Sequence, residues 1–128
     1  MVPCGIFDDP AMVADLQQHA ATIRKAMVQS ADLQSGESVS LQDMNQIVRW
    51  INTKEEHCQK IITTVADYCL CQRVKKPIFD SEKDYTDALV AHHAVMQAAM
   101  KAKQTMDTAG ADALDHALAD FAKMYTKE

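Results

Sequence analysis

The chain reads as an all-α protein, an antiparallel up-and-down four-helix bundle preceded by an irregular N-terminal hook. Three observations lead there. Four stretches carry apolar residues three and four apart, the spacing that places them on one helical face. The composition favours helix, with only three Gly and three Pro in 128 residues, much Ala, Met, Gln, Lys and Asp, and few β-branched runs. Polar turn formers and capping residues fall between the periodic stretches, and most of these connectors are short.

Asp9 as N-cap and Pro10 as first helical residue open the first helix, expected from Pro10 to about Gln29 with Val13, Leu16, Ala20, Ile23 and Met27 inward. Residues 30–38 read as a connector, and Ser40 with Asp43 forms a variant capping box. The second helix carries Met44, Ile47, Ile51, Cys58, Ile61, Val65 and Tyr68 on one face and extends to about Gln72, a length that a kink would relieve. Lys54 interrupts the stripe, its apolar stem expected along the core edge. Lys75-Lys76-Pro77 ends this helix, and Ile78-Phe79 is expected to fold back as an apolar plug. Asp80 or Ser81 caps a third helix with Tyr85, Leu89, His92, Met96 and Ala99 inward. Thr108-Ala109-Gly110 breaks the pattern, and the last helix starts at about Ala111 with Leu114, Leu118, Phe121 and Tyr125 inward. The length fits one domain, residues 1–9 as hook and 10–128 as bundle.

A net charge of −5 without a basic, aromatic-interleaved stripe argues against nucleic acid as partner. No apolar run is long enough for a bilayer, and no signal-peptide pattern appears. Three of the four cysteines, Cys58, Cys69 and Cys71, fall in one expected helix, where no pair can bridge; this points to a reduced, cytoplasmic setting. No Ser-His-Asp set, phosphate loop or general-acid pair stands out, and Asp9 beside Asp8 has a sufficient task as a cap.

The chemistry concentrates at the N-terminus. Pro3 fixes its own φ and disfavours α geometry at Val2, and Gly5 permits positive φ directly after Cys4. An amine, the Met1 thioether and the Cys4 thiol thus lie within four residues, ahead of a rigid scaffold. As a thiolate, Cys4 is a soft ligand suited to nickel or copper; the plain alternative is a cysteine that merely packs. Met1 would add a donor set suited to Cu(I), against the plain alternative of an initiator residue. A second metal site, from His57-Cys58, Cys69-x-Cys71 and His92-His93, is disfavoured by geometry. Cys69 and Cys71 lie about 200° apart around a helix, and Cys58 and Cys69 about 16 Å apart along it. Inward methionines (Met27, Met44, Met96, Met106) read as core filler, and Arg49 with Trp50 as a subunit contact. Arg24, Lys25, Lys54, Lys75 and Lys76 are candidates for attracting an anion locally, or ordinary solvated charges.

Pro3-Cys4-Gly5, followed by Ile6, Phe7 and Asp8-Asp9-Pro10, resembles the mature start of nickel superoxide dismutases. The likeness continues through Ala20–Met27, Lys54-Glu55-Glu56-His57, Asp67-Tyr68, Ala91-His92-His93 and the Leu114 to Tyr125 helix. That family opens His-Cys-x-x-Pro-Cys-Gly-x-Tyr and binds nickel through the terminal amine, the first His, two Cys and a backbone amide. The resemblance implies Cys4 as a metal and catalytic ligand, a loop shaped by Val2, Pro3, Gly5 and Phe7, and superoxide disproportionated to oxygen and hydrogen peroxide. It also implies a homohexamer in which neighbouring subunits cover each hook. Met1 and Val2 stand where the two residues before the proline belong, so the initial His and Cys have no counterparts, and Phe7 replaces the tyrosine. Four readings follow: a form lacking its native terminus, a copper-using variant, a variant with no metal, or a non-enzymatic metal-binding or assembly module.

Overall fold

The structure, a computed structural model, describes residues 1–127. Its helices are α1 (Pro10–Gln34), α2 (Leu41–Thr63), α3 (Glu82–Lys103) and α4 (Thr108–Tyr125). A π-helical segment, Thr64–Leu70, continues α2, and a 3₁₀ turn, Lys76–Ile78, leads into α3. No strand occurs among the described residues. Each helix packs on its neighbours in sequence, and α1 closes the ring against α4. This is the expected four-helix bundle.

The caps act as the sequence implies. Asp9 Oδ1 accepts from Met12 N at 3.2 Å, with Pro10 opening α1. Ser40 and Asp43 form a reciprocal capping box, Ser81 rather than Asp80 caps α3, and Asp107 caps α4. Two boundaries move. Helix α1 runs past Gln29 because residues 30–34 contain neither Gly nor Pro, and Ser30 and Leu33 still turn inward; Gly36 is the first residue to favour a break. Helix α4 starts at Thr108, with Gly110 inside its first turn rather than ending a connector.

Leu16, Ile23, Met27, Ile61, Val65, Val95, Leu114, Phe121, Met124 and Tyr125 form the fully buried centre. Helix α2 departs most from its expected stripe. Met44 is exposed and Ile47 and Ile51 only half-buried, since α2 has no buried residue before Lys54; Tyr68, in the π segment, is exposed as well. Met106 is exposed as well, so two of the four expected core methionines are not filler. Of the expected plug, Phe79 is buried while Ile78 faces solvent. On α3, His92 and Ala99 are buried and Tyr85, Leu89 and Met96 half-buried.

Lys54 does not lie along the core edge; it is buried, 2% exposed. Its Nζ donates to the carbonyls of Ala102 at 2.9 Å and Lys103 at 2.5 Å, in the last turn of α3. A helix leaves its last four carbonyls unpaired and carries partial negative charge at that end, so an ammonium there satisfies both. The π segment supplies the relief expected of so long a helix. Cys71 N bonds Ala66 O at 3.0 Å, five residues back, and the extra residue per turn turns Cys69 inward while Tyr68 reaches the hook.

Candidate functional site

Residues 1–9 form neither helix nor strand, as expected, yet they are firmly held. The amides of Gly5, Phe7 and Asp9 donate to the carbonyls of Lys123, Met124 and Tyr125 at 2.7, 2.7 and 2.8 Å. Thr126 N donates to Ala122 O at 3.1 Å. All four carbonyls that α4 leaves free are therefore paired, three of them by alternate residues of an extended hook. The hook is the C-terminal cap of α4. Gly5 makes the change of direction with φ +64°, the only positive φ among the described residues and the one anticipated after Cys4.

Phe7 anchors the side-chain layer. Its ring is buried, stacked on Tyr125 with centroids 4.7 Å apart and edge-on to Phe79 at 6.3 Å. Arg73 closes the group from outside, its guanidinium 5.8 Å from the Phe7 ring and 5.3 Å from that of Tyr68. Arg73 also donates to Asp9 Oδ2 at 2.9 Å, and the Tyr68 hydroxyl donates to the same oxygen at 2.5 Å. The Tyr68 hydrogen bond, helped by the Met12 amide and Arg73, holds the Asp9 carboxyl below its ordinary range; the same bond raises the Tyr68 phenol. Asp9 thus joins helix cap to hook, a second task that the sequence did not signal.

Cys4 projects from the anchored loop and is exposed, its Sγ directed toward Val2 O at 3.8 Å. It borders a cleft of about 670 Å³ lined by Met1, Cys4, Gly5, Lys123, Thr126 and Lys127. Met1 is 98% exposed, its amine 3.7 Å from Asp87 Oδ2, while Val2 packs half-buried against the core. The lysines at this cleft are Lys123, which pairs with Asp120 at 3.4 Å, and Lys127; neither was singled out from the sequence. Only the folding of the hook onto the end of α4 brings them to Cys4, and no local motif signals that. The expected cations lie elsewhere or are engaged. Arg24 pairs with Asp112 and Asp115, Lys76 with Glu82, Lys54 is buried, and Lys25 sits over Trp50 at 5.9 Å.

The other cysteines and histidines do not gather into an interior metal site. Burial pushes the Cys58 thiol up to about 11 and raises that of Cys69, which keeps both protonated and poor ligands. Cys71 is exposed, on the other side of its helix from Cys69. His92 is buried between the Ala88 carbonyl and the Tyr125 hydroxyl, each 2.7 Å away. His57 meets neither His92 nor His93; it contacts His19.

A sequence model of the family described as nickel-containing superoxide dismutase matches residues 1–128. Neither the curated proteins nor the solved structures yielded a match. Nickel can be tested against the donors present. Residues 1–9 offer one thiol, a thioether and backbone amides, with no imidazole and no second thiol. No group of three or more His, Cys, Asp or Glu among the described residues is placed to hold a metal. One thiolate suits a soft ion, but the residues between Met1 and Asp9 do not fit redox-active nickel, which needs several strong sulfur and nitrogen donors to stabilise its oxidised state. Scaffold, hook sequence and full-length match nonetheless agree, and the chain belongs to the nickel-containing superoxide dismutase family.

Proposed function

We propose that the protein is a superoxide dismutase of the nickel type whose metal site is nucleated by Cys4 and completed by donors outside residues 1–9. The reaction consumes two superoxide anions and two protons and yields one oxygen and one hydrogen peroxide. One observation carries this reading: an exposed thiol on a loop whose backbone is pinned at Gly5, Phe7 and Asp9 to the last turn of α4. Such a thiol is open to a dissolved ion yet does not wander. Lys127, and Lys123 beside its partner Asp120, bring positive charge to the cleft where an anion would approach, despite the negative total. Homohexameric assembly and a cytoplasmic setting belong to the same proposal. Family membership supports the first and the four free cysteines support the second; no described helix is long and apolar enough to cross a membrane.

The test adds His-Cys directly ahead of Met1, so that Met1 and Val2 serve as the two residues before Pro3, and measures nickel content and dismutase activity beside the chain as it stands. Nickel uptake and activity in the extended form alone support the proposal. A native protein that begins at Met1 and shows neither overturns it.

The second reading is a non-enzymatic metal-binding or assembly module. A hook whose residues 1–9 hold a single thiol and no imidazole, with no described group of three or more His, Cys, Asp or Glu placed for a metal, favours it. A chain that dismutates superoxide with copper bound to Cys4 and Met1 would instead identify a copper-using variant.

A further inference from the structure

Helices α1 and α2 bring together a second set of donors, separate from the hook. His19 and His57 face each other with their Nδ1 atoms 2.7 Å apart and ring centroids 4.9 Å apart. The other ring nitrogen of His19, Nε2, lies 3.2 Å from Asp15 Oδ2, one turn earlier on α1. A carboxylate only accepts, so Asp15 holds the proton on His19 Nε2 and leaves Nδ1 of the neutral ring as a lone pair. His57 donates to that lone pair in the metal-free protein. Moving its proton to Nε2 turns a second lone pair into the same space.

We propose that His19 and His57 form a binding site for a divalent late-transition-metal ion, Cu²⁺ or Zn²⁺, bridging α1 and α2. Metal–nitrogen bonds of about 2.0–2.1 Å hold two nitrogens roughly 2.9–3.4 Å apart, so the pair has to open by only about half an ångström. The Asp15–His19 bond is the arrangement that orients a metal-binding imidazole and raises its basicity. A cleft of about 500 Å³ lined by Asp15, His19, Glu56, Gln59, Lys60 and Thr63 opens onto the His19 side of the pair. It admits the ion and the waters that complete its coordination. The His19 side chain is 14% exposed, so the site is edged by protein but reachable. The lone pairs of imidazole suit these ions, with Cu²⁺ bound most tightly. This site is independent of what the hook holds.

The test uses the full chain carrying Cys4→Ser, which removes the hook thiol. Zn²⁺ is titrated against a chromogenic chelator, and Cu²⁺ binding is followed by electron paramagnetic resonance. One ion per chain is expected, with nitrogen coupling from two imidazoles in the Cu²⁺ spectrum. His19→Gln and His57→Gln should each weaken Zn²⁺ binding at least tenfold while circular dichroism stays helical. Asp15→Asn should weaken it about tenfold, by releasing the ring from its orientation. Should either Gln variant unfold, nitrogen-15 NMR of the imidazoles in the Cys4→Ser chain decides, because both Nδ1 signals must shift when Zn²⁺ is added. Unchanged Zn²⁺ affinity in the folded double variant, no binding, or unmoved Nδ1 signals would each overturn the site.

Discussion

Phe7 stacks on Tyr125 at 4.7 Å, and through that contact the first residues of the chain are sealed against the last turn of its last helix. The Phe7 amide also donates to Met124 O, so apolar burial and hydrogen bonding hold the same few residues. Aromatic pairs of this geometry contribute about 0.5–1.5 kcal/mol beyond the area they bury. The anchoring of Cys4 is thereby a property of the core and not of any metal.

Phe7→Ala is therefore expected to cost about 3 kcal/mol in unfolding free energy, near the low end for buried Phe to Ala. Amide exchange at Gly5, Phe7 and Asp9 should accelerate far more than exchange in α2. Urea unfolding and hydrogen exchange by NMR measure both effects. Slow exchange at Gly5 in the variant would show that the ring is not what pins the hook.

Gly5→Ala tests the backbone alone. A Cβ at residue 5 would meet Lys127 Cγ and Thr126 O at 3.5 Å, ordinary contact, so the penalty arises from the +64° φ. A left-handed non-glycine residue costs about 1–2 kcal/mol. The variant should lose about that much stability in urea while keeping its helical dichroism, and it should bind soft metal ions at Cys4 more weakly. Stability equal to that of the parent would mean that the loop takes up another conformation at no cost.

These two residues also mark how far the sequence could be read. Pro3 and Gly5 act through their own backbone restrictions, so an irregular loop with a left-handed turn after Cys4 was legible locally. The caps at Asp9, Ser40 and Ser81 were legible for the same reason, each acting within three residues of itself. What the hook lies against was not legible, because Lys123, Met124 and Tyr125 are more than a hundred residues away. Lys54 misled for a related reason. A charge on an apolar stripe signals an edge unless a distant helix end offers carbonyls, and α3 ends at that point. The His19–His57 pair went unread because His19 lies beside the buried stripe of α1 and has no partner within its own helix except Asp15.

Lys54→Met keeps the apolar stem and removes the ammonium, leaving the Lys103 carbonyl without its donor and the Ala102 carbonyl with only a long bond from the Thr105 amide. An unsatisfied buried polar group costs about 1–3 kcal/mol. The variant should be destabilised by that order, with fraying concentrated at the last turn of α3. Thermal unfolding gives the first quantity, and amide exchange of residues 100–104 gives the second. Uniform loss of protection across the bundle, with no excess there, would show that the ammonium is not acting as a helix cap.

His92 is one of the groups through which acid acts on stability. The Ala88 carbonyl can only accept, so His92 Nδ1 carries a proton, and Nε2 accepts from the Tyr125 hydroxyl. The ring is thus held neutral with both nitrogens engaged, and burial, only partly offset by the Ala88 bond, lowers its affinity for a second proton below the ordinary 6.5. Between that lowered value and about 6.5 the unfolded chain binds the extra proton and the folded chain does not. Stability from this group is complete above about pH 6.5 and is lost as the pH falls below it, by at most about 1.4 kcal/mol per pH unit. His92→Gln should be less stable than the parent at pH 7.5 yet lose less on acidification to pH 5.5. Urea denaturation of both proteins at the two pH values makes the comparison, and NMR titration of the His92 ring follows the proton itself. Parallel losses in parent and variant, or a ring that titrates at or above 6.5, would show that His92 is not the group that charges on acid unfolding.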